Sequence, residues 1–173
     1  MCNNQFLSPH FSLKEMTDSQ TAVKHGIANI PSPEAVENLH RLCEGTLEPL
    51  REAIGLPIIV TSGYRTKALN AMLAHASDRS QHMLGQAADF HVARGPVQGS
   101  KFKVQSDRER LIKAFRLIIT SPDIDYDQVI LYPSFIHVSY VSKERNRHGI
   151  LKAQGNGKLG YGRLTVANAL MIS

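Results

Sequence analysis

The sequence contains no tryptophan, few aromatic residues and only two cysteines, and each shortage narrows what the protein can be. Because aromatic residues make up 6% of the chain, the hydrophobic core must be mostly aliphatic. Two cysteines do not form a disulfide framework. Cys43 lies on a helical stripe of leucines, so we predict that it is a small buried hydrophobic residue, and we expect Cys2 in a loose terminus. Neither cysteine is predicted to be a metal ligand or a nucleophile.

Long apolar runs are also missing, so no membrane span is predicted, because a spanning helix needs ~20 such residues. Residues 1–5 lack the charged start and apolar stretch of a signal peptide. We therefore expect synthesis in the cytoplasm without a standard export signal. The net charge is +5, yet no basic stripe is interleaved with aromatic residues, so nucleic-acid binding is not predicted. The scattered Lys and Arg are interpreted as solvated surface.

The length and composition are those of one ordinary globular domain. The chain has 173 residues, of which 42% are hydrophobic and 20% are charged. We predict a single α+β domain over residues 1–173, with its core at about 10–161 and a glycine-rich C-terminal tail. We expect a monomer.

Two main amphipathic helices are predicted from apolar residues spaced three and four apart. The first follows the N-cap Ser32 and ends near Gly55, and the second is expected to have Asp107 as its cap. A shorter helix is expected to begin after Ser12, which forms a capping-box pattern with Glu15. These helices are predicted to pack against a small antiparallel sheet. Its predicted strands are 57–61, 87–92, 128–131 and 135–141, with one edge strand in the turn-rich tail.

Two histidines and one aspartate stand out within or beside these strands. His82 and Asp89 are separated by Gly85, so a loop histidine followed by a strand aspartate fits better than one helix face. A carboxylate in an apolar strand needs a partner or a metal. His137 lies in an alternating strand. Two His and one Asp suit Zn²⁺ and leave one coordination position open, which is typical of a zinc hydrolase rather than a structural zinc site.

Simpler interpretations of the same residues stay open. His82 and Asp89 can be a loop histidine and a surface carboxylate, and His137 can be a core histidine with a satisfied hydrogen bond. His91 shares a strand face with Asp89 and is a further candidate for the same metal.

Four motifs follow one another along the chain. They are Ser62-Gly63-Tyr64-Arg65-Thr66, Leu69-Asn70, Ser80-x-His82-x-x-Gly85-x-Ala87-x-Asp89 and Ile136-His137-Val138-Ser139. Together they resemble the zinc D-alanyl-D-alanine carboxypeptidases and phage endolysin peptidases, and most closely the compact subgroup found in phages and prophage regions. The resemblance spans about residues 10–161. It implies a Zn²⁺-dependent peptidase that hydrolyses D-amino-acid-containing amide bonds in peptidoglycan stem peptides or D-Ala-D-Ala-type peptides.

The resemblance also implies roles for individual residues. The metal ligands would be His82, Asp89 and His137. Arg65 would be a catalytic and substrate-binding residue that holds the peptide carbonyl or terminal carboxylate, because its planar fork suits that task. Ser80 and Tyr64 would also bind substrate. The alternatives are a structural salt bridge for Arg65 and a plain turn residue for Ser80.

The acid that usually moves the proton is not evident in this chain. Many relatives have Glu or Asp three residues before the last His ligand, or slightly further upstream, whereas Ser134 and residues 131–133 occupy these places here. We predict Asp127 as the catalytic base, because it begins the strand that leads toward the site. Other candidates for proton transfer are Asp123, Asp125, His91 and Tyr132, of which the two aspartates are otherwise ordinary loop acids.

The missing acid gives a second hypothesis. The chain can instead be a zinc module without turnover that binds a cell-wall or peptide partner, as the related fold of hedgehog signalling domains illustrates by resemblance. For an active lysin, release to the cell wall by a phage lysis route is expected from the family.

Overall fold

The computed structural model describes residues 5–74, 76–94, 106–153 and 161–172. Its elements are a hairpin, a six-stranded sheet and several helices, which share one hydrophobic core. The helices are α1 (Leu13–Thr17), α2 (Gln20–Lys24), α3 (Pro33–Leu42), α4 (Glu48–Ile54), α5 (Lys67–Met72), α6 (Asp107–Thr120) and α7 (Val166–Leu170). The strands are β1 (Phe6–Ser8), β2 (Phe11–Ser12), β3 (Ile58–Ser62), β4 (Ala87–Val92), β5 (Gln128–Leu131), β6 (Ile136–Ser139), β7 (Gly149–Ala153) and β8 (Tyr161–Arg163). The predicted α+β class is confirmed.

The large sheet has the strand order β3-β4-β6-β5-β7-β8, and its pairs are antiparallel except for β5 and β7. The predicted strands at 87–92 and 128–131 are found at those residues. The C-terminal tail contributes more than one edge strand, because β7 pairs in parallel with β5 and only β8 lies at the edge. The tail residues 154–160, including Gly155, Gly157 and Gly160, lie outside the described residues.

The two faces of the sheet differ in chemistry because side chains alternate along each strand. One face is apolar and contributes to the same hydrophobic core as α3, α4 and α6. Its core residues include Ala88, Phe90, Val92, Val129, Leu131, Ile136, Val138 and Ile150. The opposite face carries a row of residues in register, Asp89, His137, Ile130 and Leu151, one from each of β4, β6, β5 and β7. This row crosses the middle of the sheet and includes two of the predicted ligands.

The first long helix is interrupted by a π-helical turn at Cys43–Leu47, between α3 and α4. Pro49 explains the interruption, because its ring would collide with the carbonyl of Gly45 in a regular helix. The Gly45 carbonyl instead accepts a hydrogen bond from the backbone N–H of Asp125 at 3.1 Å. Thr46 Oγ1 donates to the Asp125 carbonyl at 2.6 Å. The helix defect therefore anchors the loop that leads into β5.

Helix α6 begins one residue earlier than expected. Its N-cap is Ser106 and not Asp107, which is the first residue of the helix. Ser106 Oγ accepts from the backbone N–H of Glu109 at 3.2 Å, and the Glu109 carboxylate accepts from the Ser106 N–H at 2.7 Å. This capping box satisfies two backbone donors, whereas an aspartate cap at 107 would lack the returning glutamate.

Other local predictions are confirmed. Ser12 and Ser32 cap α1 and α3 through their side chains, and Gly55 ends α4 in a left-handed conformation. Cys43 is fully buried in the core, and burial raises the pKa of its thiol. Among the described residues, no helix has the length and apolar character needed to cross a bilayer.

Candidate metal centre

His82, Asp89 and His137 come together on the polar face of the sheet. Each offers one ligand atom, and these atoms all lie within 4.8 Å of one another. Nδ1 of His137 is 2.7 Å from Oδ1 of Asp89, and Nε2 of His82 is 3.3 Å from the same oxygen. No other group of three or more potential ligands of this kind occurs in the described part of the chain. Asp89 and His137 meet because they are directly paired across β4 and β6.

His82 reaches this point from a short 3₁₀ turn, Gln81–Leu84. The side chain of His82 is buried, and its Nδ1 donates a hydrogen bond to the carbonyl oxygen of Gly63 at 2.7 Å. Since a carbonyl oxygen only accepts, this contact fixes the proton on Nδ1 and leaves the lone pair of Nε2 toward Asp89. The backbone N–H of Arg65 in turn donates to the His82 carbonyl at 3.1 Å.

Two glycines permit this close arrangement of backbone segments. A Cβ at Gly63 would overlap the carbonyl oxygen of Met16. Gly85 has φ +70°, and a Cβ there would overlap the carbonyl oxygen of Ala35. Gly63 thus lets the segment after β3 pack closely on α1, and Gly85 lets the loop that carries His82 pack closely on α3.

Asp89 is held from a second side by Arg65. Oδ2 of Asp89 accepts from Nη2 of Arg65 at 2.8 Å, and Nε of Arg65 donates to Ser62 Oγ at 2.9 Å. Both side chains of this ion pair are largely buried. One carboxylate oxygen thus faces the histidines while the other is bound by a guanidinium, which is how outer-shell partners orient a ligand carboxylate.

The protonation states also suit a metal. Burial lowers the pKa of the His82 imidazole, and this effect outweighs the opposing pull of Asp89. Burial by itself raises the pKa of the Asp89 carboxyl, but the charges and hydrogen bonds of His82 and His137 outweigh it, and the pKa lies below its ordinary value. A neutral imidazole and an ionised carboxylate are the forms that bind metal ions. Two nitrogens and one oxygen also form a donor set that fits Zn²⁺ with one position left open.

The three side chains lie in the wall of a cavity of about 390 Å³. This volume is within the range of pockets that hold small ligands. Arg65 and Ser80 line it on the side of the His82 loop, and Tyr132 and Phe135 line it near the β5–β6 connection. The rings of Tyr132 and Phe135 are stacked, with centroids 4.1 Å apart.

Comparison with known families places the chain in a family. A family model described as Peptidase M15 matches residues 9–115, which is more than half of the chain. The chain belongs to the Peptidase M15 family. The match includes Arg65, His82 and Asp89, while His137 lies beyond it. Comparison with curated proteins gives no match.

Membership of the M15 family makes this chain one of a group of metal-dependent peptidases, and it confirms the resemblance to the zinc D-alanyl-D-alanine carboxypeptidases. The assignment to a phage or prophage subgroup stays a prediction.

In this M15 peptidase, the other residues predicted for the site lie either in the cavity wall or in the hydrophobic core. The substrate-binding roles of Arg65 and Ser80 stay predictions, and both residues line the cavity. Tyr64 does not, because its side chain is only 9% exposed and packs in the hydrophobic core. Its backbone is used instead, since the Tyr64 N–H donates to the Met16 carbonyl and the Tyr64 carbonyl accepts from Asn29. This position gives Tyr64 a structural role rather than the substrate-binding role that the resemblance implies.

Asp127 also lies apart from the cavity wall. It is completely buried and forms a two-pronged ion pair with Arg147, whose Nε and Nη2 are 2.8 Å and 2.5 Å from its oxygens. Gln81, Ser139 and the backbone N–H of Arg147 also donate to this carboxylate. Burial raises the pKa of Asp127, but the hydrogen bonds and charge of Arg147 outweigh it and the pKa lies below its ordinary value. A buried, fully occupied carboxylate of low pKa is poorly suited to accept a proton.

The remaining candidates for proton transfer are not equivalent. His91 shares the strand face of Asp89 as expected, but it lines a separate cavity with Ser134 and lies outside the metal group. Asp125 is bound to His148 and Asn146, which gives it a structural role. Asp89 is the only carboxylate among the described residues that line the cavity beside the three proposed ligands. Of the residues predicted to transfer a proton, Tyr132 is the one that also lines this cavity.

Several cavity residues were not predicted from the sequence, and three of them bear on the chemistry of the site. Arg79, Gln81 and Arg147 all line the wall. Gln81 precedes a predicted ligand, and that position was the only local signal for it. Arg79 lies in a loop with no regular pattern, and the position of Arg147 depends on the parallel pairing of β7 with β5.

Proposed function

We propose that this M15 peptidase binds Zn²⁺ through His82, Asp89 and His137 and hydrolyses amide bonds next to D-amino acids in peptidoglycan peptides. The observation that carries the proposal is the convergence of these three side chains at the wall of an open cavity. Family membership supports the same reaction class. A bound Zn²⁺ would supply a Lewis acid that polarises a carbonyl and activates water.

The chain's own residues then hold the ligands and the substrate. Gly63 fixes the ring of His82 through Nδ1, and Arg65 fixes the carboxylate of Asp89 through Oδ2. Nη1 of Arg65 makes no hydrogen bond to the described residues, so it is the donor left to bind a substrate carbonyl or carboxylate. Arg65 therefore has two tasks in this proposal, which are to orient a metal ligand and to position the peptide.

This chain differs from a hydrolase with a dedicated acid–base residue in the group available for proton transfer. Positioned acid–base groups contribute roughly 10²–10⁴-fold to catalysis. The described wall offers no carboxylate for this purpose other than Asp89, which is already bound on both oxygens. We propose Tyr132 as the group that hydrogen bonds to the reacting peptide, and Asp127 as a positioning residue rather than the base.

The same observation favours a second candidate function. A metal module that retains the cavity and binds a cell-wall peptide without turning it over needs the ligands and Arg65 but no acid. The two functions differ in the rate of peptide hydrolysis, because both use the same cavity and the same class of ligand. Access to the cell wall through a phage lysis route is part of the first proposal and rests on the family alone.

Incubation of the zinc-loaded protein with purified muropeptides separates the two functions. Mass spectrometry of the products, with and without a chelator, detects release of D-alanine or cleavage of the stem. The peptidase proposal predicts products that appear only with metal, and their masses identify the bond. A chain that holds one zinc per molecule, binds muropeptides and releases nothing over days supports the binding module instead.

A further inference from the structure

The cavity beside the proposed metal centre is lined by more guanidinium groups than carboxylates. Its described wall contains three guanidinium groups, from Arg65, Arg79 and Arg147, and the single carboxylate of Asp89. Asp89 balances the charge of Arg65 and the buried Asp127 balances that of Arg147, so Arg79 is the arginine of the described wall that has no carboxylate partner. A bound divalent cation would add more positive charge. A cleft lined by one sign of charge concentrates ligands of the opposite sign. The cavity is therefore suited to an anionic ligand.

Arg147 is held rigidly at this wall by the buried carboxylate below it. Nε and Nη2 donate to Asp127, which is sealed from solvent, whereas the side chain of Arg147 is 63% exposed. Nη1 makes no hydrogen bond to a described residue, so its donors remain for a ligand. A guanidinium fixed in this way loses little conformational freedom when it binds.

Gln81 links this pair to the metal ligands. Its Nε2 donates to Oδ2 of Asp127 at 3.0 Å, and the next residue along the chain is His82. The position of the Arg147 guanidinium is therefore coupled to the loop that carries a proposed ligand.

Arg79 supplies the second positive group. Its side chain is exposed, lines the same cavity and makes no hydrogen bond or ion pair to any residue that the structure describes. An arginine fork matches the planar geometry of a carboxylate, and such charge-assisted bonds are stronger than neutral ones.

We infer that Arg79 and Arg147 form a carboxylate-recognition subsite, which selects peptides by a free carboxylate placed beside the metal centre. The inference rests on the proposed function only in taking a peptide as the ligand. Two carboxylates of a stem peptide have the required chemistry. One is the C-terminal carboxylate, which would make the chain a carboxypeptidase, and the other is the α-carboxylate of an internal γ-linked D-glutamate, which would suit an endopeptidase.

Binding of uncleavable peptides to the zinc-loaded full chain tests the inference. The first probe is diacetyl-L-lysyl-D-alanyl-D-alanine with an (E)-alkene in place of the last amide, made as the free acid and as the C-terminal amide. The second is a stem pentapeptide with an (E)-alkene in place of the amides on both sides of the glutamate as well as the last amide, made with D-glutamate and with D-isoglutamine. Isothermal titration gives the affinity of each. We expect amidation of one of these carboxylates to weaken binding by at least ~10-fold, and the probe that responds identifies the source.

Two variants and one control assign the effect to these arginines. Arg79→Ala should reduce the acid-to-amide preference to within ~2-fold and should fold normally, because its side chain has no partners among the described residues. The double variant Asp127→Asn with Arg147→Ala removes the second cation without leaving a buried charge unpaired. Arg145→Ala removes an exposed arginine close to Arg147 that does not line the cavity, and it should keep the full preference. Zinc content and circular dichroism verify that each variant is folded.

Equal affinity for acid and amide in both probe pairs would overturn the inference, as would a preference that survives in both arginine variants. These outcomes are distinct from failure of the proposed reaction. A protein that releases no product but prefers the acid retains the subsite, whereas one that cleaves muropeptides without any such preference lacks it.

Discussion

Asp89 and His137 lie directly opposite each other on neighbouring antiparallel strands, with Oδ1 of Asp89 2.7 Å from Nδ1 of His137. Paired residues on one face of a sheet have their Cβ atoms about 5 Å apart, which is close enough for two side chains to share one ion. The third group, His82, comes from a loop in which Gly85 packs against α3, and its ring donates to the carbonyl oxygen of Gly63. The site therefore depends on one strand register and one tightly packed turn.

The first prediction concerns metal content. His137→Ala should lose stoichiometric zinc, because two ligands alone hold the ion weakly. His91→Ala is the matched control, since His91 lies on the same sheet face but outside the metal group. Mass-spectrometric metal analysis of the dialysed proteins should give about one zinc per chain for the wild type and the control. Equal zinc in wild type and His137→Ala would contradict the ligand assignment.

The second prediction concerns stability and metal. Zinc should stabilise the folded chain by about 2.7 kcal/mol when its free concentration is a hundred times Kd, because it binds the assembled site. Chemical unfolding with zinc and with a chelator measures the difference. The double variant His82→Ala with His137→Ala should show no such gain. A wild-type free energy of unfolding that is insensitive to zinc would count against a preformed metal site.

The third prediction separates the two tasks of Arg65. Arg65→Ala should still bind zinc, but with an affinity lower by ~10–100-fold, because Asp89 loses the partner that orients it. Substrate binding should weaken as well. Arg65→Lys keeps the positive charge but loses the planar guanidinium with its paired donors. It should therefore recover part of the zinc affinity and little of the peptide affinity. Competition with a zinc-binding dye and peptide titration measure the two quantities. Unchanged zinc affinity in both variants would show that Arg65 does not orient Asp89.

The fourth prediction concerns Asp127 and pH. Its folded pKa lies below the ordinary value, so ionised Asp127 stabilises the fold above ~pH 4, and this contribution is lost as pH falls through the folded pKa. Asp127→Asn should therefore lower the free energy of unfolding by about 2 kcal/mol at neutral pH and by less below pH ~4. Asp123→Asn is the control, because Asp123 is an exposed loop carboxylate, and it should leave the free energy of unfolding at neutral pH nearly unchanged.

Kinetics of the same variant test its role. If Asp127 is a positioning residue, Asp127→Asn should affect KM more than kcat and should leave the shape of the pH–rate profile unchanged. Loss of the acid limb in that variant, where wild-type activity falls as the pH drops and the base becomes protonated, would restore Asp127 as the catalytic base.

Local patterns predicted the elements whose stability is decided locally. The apolar spacing between Ser32 and Gly55 located the first helix, and the apolar run around Asp89 located β4, because helix and strand periodicity are properties of neighbouring residues. Even here one signal was misread. We predict Asp107 as the cap from the sequence, whereas Ser106 and Glu109 form the capping box in the structure.

Features that depend on distant pairing were beyond local patterns. The ion pair of Asp127 with Arg147 exists because the parallel pairing of β7 with β5 brings Gly149 beside Gln128. Glycines in the tail indicate turns, but the tail also contains β7, which pairs with the otherwise unpaired edge of β5. Tyr64 illustrates the same limit, because its motif identifies the loop but not which side of the chain faces the core.

The most direct test of the metal centre is a crystal structure of the zinc-loaded protein with anomalous data collected on both sides of the zinc absorption edge. We predict one strong anomalous peak bonded to His82, Asp89 and His137, with Arg65 still on the second oxygen of Asp89. A peak bound elsewhere, or these three side chains pointing apart in a crystal grown with zinc, would contradict the account.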